Sequence, residues 1–360
     1  MTPPLNASFL PRRGYGEQSN PLISANLPVI SGQLRDRAWI PALVGLLCSL
    51  LTNAGVAGQS GEDPRASLER MAKAAQTLNY DGTFVYRNGA TMQSMRIIHR
   101  SVDDGERERL VALSGAAREV IRDTERVTCI LPDRQSVVVA KSRPRQFPHS
   151  KLLEPGASFA KHYSLSEQRG ERIAGRHTKM LSVVPHDRFR YGYRLWMDRD
   201  TGLLLKSELI NEHDEIVEQL VYTHIELPER IPDSLLEPEI SGAGYTWYRD
   251  KPAGPSSVAG SSEPHWYPGW VPEGFVLREH AEDAILDSRD PVEHLVFSDG
   301  LASVSVFIER LDTTSQPLDG FDNVGAVNAY GSMVGDLQIT VVGEVPAATV
   351  ERVAMSISRR

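Results

Sequence analysis

The chain has few of the features that would point to chemistry. Only two cysteines occur in 360 residues. Cys48 sits in an apolar run near the start, and Leu47 before it does not suit a lipoprotein signal. Cys129 lies in the strand-like "RVTCILP", has no partner once the leading segment is removed, and reads as a buried, inert thiol. Positive charge is also short: 39 Lys and Arg against 47 Asp and Glu give a net charge of −8. Without the four arginines of residues 1–58 the remainder is more acidic still. That balance argues against a duplex-binding protein and leaves no nucleic-acid partner expected. The longest apolar run, Ala38–Leu51, is 14 residues and contains Pro41, too short to span a bilayer.

Catalytic signatures are missing as well. No G-x-S-x-G elbow exists, since "YGSMVG" has the wrong spacing, and there is no H-E-x-x-H and no paired-cysteine motif. Gly242-Ala243-Gly244 lacks the third glycine of a dinucleotide loop. His186-Asp187 and His213-Asp214 are adjacent pairs near expected turns, and neighbours on a strand face opposite ways. No enzyme, cofactor or metal site is expected.

What is present begins with an export signal. Arg35 and Arg37 precede the apolar run, and small residues at Ala54, Gly55, Ala57 and Gly58 suit a peptidase. Residues 34–58 therefore read as a signal peptide, and 1–33 as a disordered extension or a start codon placed too early.

"EDPRASLERMAKAAQTL" predicts a helix, with Asp63 as cap, Pro64 in the first turn and Leu68, Met71, Ala72, Ala75 and Leu78 on one face. The period then falls to two. "GTFVYRNGATMQSMRIIH" predicts a hairpin about Asn88-Gly89. Short strands follow at close spacing, as in an antiparallel meander: "RERLVAL", "RVTCIL", "QSVVVAK", "HTKMLSVVP", "YGYRLWMD", "LLLKSELI" and "IVEQLVYTHIEL". "GASFAKHYSL" reads as a short helix. These residues, 62–245, make one mainly β domain. Residues 246–264 read as a Pro/Gly/Ser/Ala-rich linker that lets its neighbours reorient. Residues 265–358 make a smaller α+β unit, with a hairpin about Asp299-Gly300 and a closing helix in "VPAATVERVAMSI".

Several strands are apolar on both faces, yet few helices are expected to cover them. Two arrangements stand: helix packed tightly on sheet, or a curved half-barrel around a cavity. Phe84, Tyr86, Met95, Ile97, Trp196 and Leu204 are the candidate wall residues. Each methylene of a buried acyl chain is worth about 0.8 kcal/mol, so roughly ten outweigh an association cost of about 4 kcal/mol or more. Trp247, Tyr248, Trp266, Tyr267 and Trp270 flank the linker and either pack the two units together or anchor a partner. Lys141, Arg143, Arg145 and Lys151 share one proline-rich loop, either solvated or placed to meet anionic head groups or an acidic partner. Self-association stays open.

Three segments carry a resemblance: "SLERMAKAAQTLNYDGTFVYRNG…MRIIHR", "PHDRFRYGYRLWMDRDTGLLLKSELI" and "HLVFSDGLASVSVFIE". Together they resemble the periplasmic sigma-E regulatory proteins of the RseB/MucB family, in order across residues 65–358. The resemblance implies an N-terminal half-barrel similar to lipoprotein carriers and a smaller C-terminal domain. It implies a periplasmic protein that binds the periplasmic part of a membrane-spanning anti-sigma factor and shields it from proteolysis, with release by lipid or lipopolysaccharide. A lipid or lipoprotein carrier without a regulatory partner is the alternative.

Overall fold

The structure, a computed structural model, describes residues 63–102, 105–142, 159–249, 263–283, 292–311 and 316–360. The expected extension and signal peptide, most of the linker, and Arg143, Arg145 and Lys151 lie outside the described residues.

Helix α1 (Pro64–Thr77) starts as the sequence dictates. The Asp63 carboxylate accepts the Arg65 N–H at 3.0 Å, and Pro64 occupies the first turn, where a missing N–H costs nothing. Its buried stripe is Leu68, Met71, Ala72, Ala74 and Ala75. Beyond it the chain forms strands β1 (Tyr80–Asn88), β2 (Thr91–Val102), β3 (Gly105–Ala112), β4 (Glu119–Arg122), β5 (Arg126–Leu131) and β6 (Ser136–Lys141). One helical turn, α2 (Phe159–His162), precedes β7 (Tyr163–Ile173), β8 (Arg176–Pro185), β9 (Gly192–Asp198), β10 (Leu204–Ile210), β11 (Ile216–Glu226) and β12 (Thr246–Arg249).

All twelve strands make one sheet in the order β12-β6-β5-β4-β3-β2-β1-β11-β10-β9-β8-β7. Every pairing is antiparallel except that of β12 with β6. Residues 246–249, expected to open the linker, are therefore part of the sheet. The sheet is strongly curled. Cα atoms of β7 and β11 come within 8 Å, whereas four strand spacings in a flat sheet would put them about 19 Å apart. Strands β12 and β7 do not pair with each other, so the curl stays open.

One half of the outer face is closed by chain that follows β11. Ile231, Leu235 and Leu236 pack on Ile98. Beneath them lies a buried ion pair, Arg109 with Glu119, exposed by 2% and 0%. The pair is fully engaged: Glu119 accepts the N–H groups of Glu239 and Ile240 at 3.1 and 3.0 Å, and Arg109 reaches the Leu235 carbonyl and Glu239. The strap is thus held by a charge pair that only the strap completes.

The second lobe comprises β13 (Trp266–Pro268), β14 (Val276–Asp283), β15 (Val292–Ser298), β16 (Ser303–Arg310), β17 (Gly320–Val324), β18 (Val327–Val334), β19 (Leu337–Gly343), α3 (Ala347–Met355) and β20 (Ile357–Arg359). Its sheet order is β14-β15-β16-β19-β18-β17, with β13 and β20 forming a separate pair. Val350, Val353 and Ala354 of α3 pack on Leu295, Phe297, Val304, Val306, Ile339 and Val341. The molecule is mainly β, in two parts, as expected. Among the described residues no helix is long and apolar enough to cross a membrane.

Replacing Glu119 by Ala removes the buried partner of Arg109 and leaves its charge only the exposed Glu239 carboxylate and the Leu235 carbonyl. The expected loss is about 3–5 kcal/mol, read as a lowered urea midpoint. An unchanged midpoint would show that the strap is held by its apolar contacts alone.

Candidate functional site

The inside of the curl is filled where β7–β11 face β1. Phe84, Met95, Ile97 and Trp196 are buried there with Tyr80, Ile173, Met180, Leu205, Tyr222 and Ile225, and Tyr86 packs at the margin. Phe84 meets Tyr222 with ring centroids 5.5 Å apart. Lys206 lies 4.1 Å above the Trp196 ring and is tied to Glu171 at 2.7 Å and Glu208 at 3.0 Å.

Leu204 is not a wall residue of this space. A register slip between Leu204 and Lys206 pairs Leu204 with Met197 and Lys206 with Trp196. Leu204 therefore faces the other way, against the cluster of Leu68, Met71, Leu181, Leu195 and Met197.

The apolar inner face continues past the filled region. Ile97, Leu110, Val120, Cys129 and Val138 stand opposite one another across β2 to β6. Directly opposed residues share a face, so these five form one row. Beyond Ile97 the row is only half-buried. It makes a greasy trough whose floor includes Cys129, where burial pushes the thiol up. Sequence pattern did not isolate this row, because its residues read as ordinary strand core. The trough becomes visible only when the covering element proves to lie on the opposite face.

A second feature is the seam between the lobes. Arg190 is 0% exposed and lies at its centre. Its guanidinium donates to Asp299 of the second lobe at 2.5 Å, to the Glu273 carbonyl at 2.7 Å and to Asp187 at 2.9 Å. The Tyr163 hydroxyl donates to the same Asp299 oxygen at 2.9 Å, and the Arg190 guanidinium lies over the Tyr163 and Phe275 rings. Burial and then Asp299 push the Tyr163 hydroxyl well up. Asp299 sits at the tip of the β15–β16 hairpin, and Leu301 from the same tip is buried among Leu68, Met71 and Tyr163. Gly274, at φ +89°, lets the chain pass so close to His162 that a Cβ there would lie 2.3 Å from the imidazole.

His186 and Asp187, adjacent in the chain, serve different partners. Asp187 turns to Arg190 while His186 bonds the Ser164 hydroxyl and the Lys161 carbonyl. Among the described residues no group of three side chains could hold a metal.

The five aromatics near the linker lie in three different places. Trp247 and Tyr248, exposed by 48% and 58%, lie on edge strand β12 of the first lobe. Trp266 and Tyr267 pack on the core of the second lobe. Only Trp270 meets both lobes, through Phe189, whose ring centroid is 4.9 Å away, with Arg352 lying 4.1 Å over the indole. Phe189 also borders an open cleft of about 670 Å³ with Ser182, Val184, Arg194, Ile210 and Asp214. Lys141 ends β6 and is exposed.

Residues 63–240 match the MucB/RseB N-terminal domain family and residues 260–358 the MucB/RseB C-terminal domain family. The chain is similar to "Sigma factor AlgU regulatory protein MucB" of Pseudomonas aeruginosa, with 35% identity over 328 residues, covering 88% of this chain and 96% of that one. It is also similar to "Sigma-E factor regulatory protein RseB" of Escherichia coli K12, with 26% identity over 307 residues, 85% of this chain and 92% of that one. Among solved structures, that of the Pseudomonas aeruginosa MucA/MucB complex aligns with a TM-score of 0.64 at 31% identity, covering 83% of this chain and 99% of that one. A crystal structure of MucB in complex with MucA(peri) aligns at 0.62 with the same identity and coverage.

Replacing Arg190 by Met should cost about 3–5 kcal/mol by leaving Asp299 buried without its counter-charge. Adding Asp299→Asn should recover part of that loss. Calorimetry of both single variants and the double variant tests this; strictly additive losses would show that Arg190 and Asp299 are not coupled.

Proposed function

Because the chain belongs to the MucB/RseB family, we propose that it is a periplasmic negative regulator of a sigma-E-type envelope-stress pathway. It binds the periplasmic segment of a membrane-spanning anti-sigma factor and shields that segment from the protease that starts its destruction. Lipid or lipopolysaccharide releases it. One observation carries this reading: likeness to the MucB chain of a MucA/MucB complex runs through 83% of this chain.

In this reading residues 34–58 direct export and are removed, 62–245 carry the lipid trough, and 265–358 help to hold the partner. An acyl chain lies along Leu110, Val120, Cys129 and Val138, beside the packed Phe84, Met95, Ile97 and Trp196. Its anionic head group meets the basic loop of Lys141, Arg143, Arg145 and Lys151. The open cleft beside Phe189, lined by residues 182–214 of the first lobe, offers the partner a surface. A lipid releases the partner only as far as it prefers the unbound arrangement. A tenfold release needs about 1.4 kcal/mol of such preference, less than two buried methylenes supply.

The half-open trough by itself also suits a lipid or lipoprotein carrier with no regulatory partner. A pull-down on the immobilised anti-sigma periplasmic segment separates the two. Retention is expected, with loss as lipopolysaccharide fragments are added. No retention, with both proteins folded, rejects the regulator and leaves the carrier. Retention that no lipid titration changes removes the release step.

A further inference from the structure

We propose that Arg188 and Arg352, one from each lobe, form a twin-guanidinium seat for an acidic residue of an extended protein segment lying in the cleft beside Phe189. This deepens the proposed regulation and rests on it, since the segment meant is that of the anti-sigma factor.

The seat is built on one ring. The Arg188 and Arg352 guanidinium carbons each lie 5.5 Å from the centre of the Phe189 ring, so they are no farther apart than twice that distance. The platform is fixed before any partner arrives. The Phe189 N–H donates to Asp187 at 2.9 Å, and the hydroxyl of Thr349, itself fully buried, donates to the Phe189 carbonyl at 2.9 Å. Trp270, edge-on to Phe189 and beneath Arg352, is held by its N–H, which donates to the Ser356 hydroxyl at 3.1 Å.

A guanidinium stacked on a ring uses its face and leaves its N–H edge free to fork onto a carboxylate. Both arginines are exposed, and among the described residues neither meets an acid. Two cations on one ring repel each other unless an anion comes between them. Their charged neighbours in the cleft are already engaged: Asp187 with Arg190, and Arg194 with Asp214 and Glu208.

The remaining lining sets what lies beside the acidic residue. Val184, 53% exposed, joins Pro185 and Ile210 as apolar surface. Glu212 also lines the cleft, and among the described residues no cation sits against it. An acidic residue is therefore accepted beside Phe189 and refused beside Glu212. The fitting occupant is a stretch of extended chain that joins an acidic residue to apolar ones. A phosphate-bearing lipid would meet the same arginines but leave the apolar lining and Glu212 unanswered.

The test titrates the full chain onto the immobilised anti-sigma periplasmic segment from low to high salt. Arg188→Glu combined with Arg352→Glu, checked as folded by circular dichroism, should weaken binding about tenfold and flatten its salt dependence. If that variant does not fold, Arg188→Ala, at an exposed position, should weaken binding about threefold with the same flattening. A segment whose acidic residues are changed to lysine should bind the wild type poorly and the charge-reversed chain better. Equal affinity of wild type and variants at every salt concentration overturns the seat and leaves the regulator standing. So does a loss confined to phosphatidylglycerol vesicles, which would assign the arginines to a head group. No retention of the wild type rejects the regulator itself, and the seat with it.

Discussion

Arg190 sets the terms for the rest of the molecule. A guanidinium withdrawn from water carries a penalty of several kcal/mol, recovered only when every donor meets an oxygen. Its own loop supplies Asp187, but Asp299 and the Glu273 carbonyl come from the second lobe. The first lobe alone would therefore leave that charge poorly satisfied. Leu301 adds apolar burial at the same hairpin tip, and Tyr163 adds a hydroxyl to the same carboxylate. Lobe placement is thereby part of the fold rather than left wholly to a linker.

The first lobe answers a different constraint. A twelve-stranded sheet has two faces to hide and few helices to hide them. On one side α1 sits over β8 and β9, and the strap after β11 covers β2 to β4. On the other side the curl lets β7–β11 and β1 bury their own aromatics. What remains is the row from Leu110 to Val138, half-buried on the inner face of β3 to β6. The trough is thus the part of the sheet that, among the described residues, neither curling nor covering reaches.

Much of this was legible in the chain. Asp63 and Pro64 announce α1, period-two alternation marks most strands, and Asn88-Gly89 and Asp299-Gly300 mark hairpins that do form. What escaped depends on register or distant pairing. Leu204 looked like its neighbour Leu205, and only a one-residue slip separates their faces. Thr246–Arg249 looked like linker because their partner, β6, lies more than a hundred residues earlier. Asp299 marks one hairpin turn and Asp187 lies near another expected turn; nothing local says that Arg190 and Asp299 meet. His186 and Asp187 were rightly set aside as a dyad, because each serves a different neighbour.

The pairing of β1 with β11 has a consequence for how the chain matures. The first strand gains one neighbour almost at once, through the tight turn to β2, but its other edge waits for residues 216–226. Until then the nascent β1–β6 meander shows a bare rim of amide and carbonyl groups beside its oiliest side chains. Such non-local closure is slow, and an open rim invites pairing with the wrong chain. Maturation of this protein therefore includes an interval of vulnerability, set by topology rather than by composition.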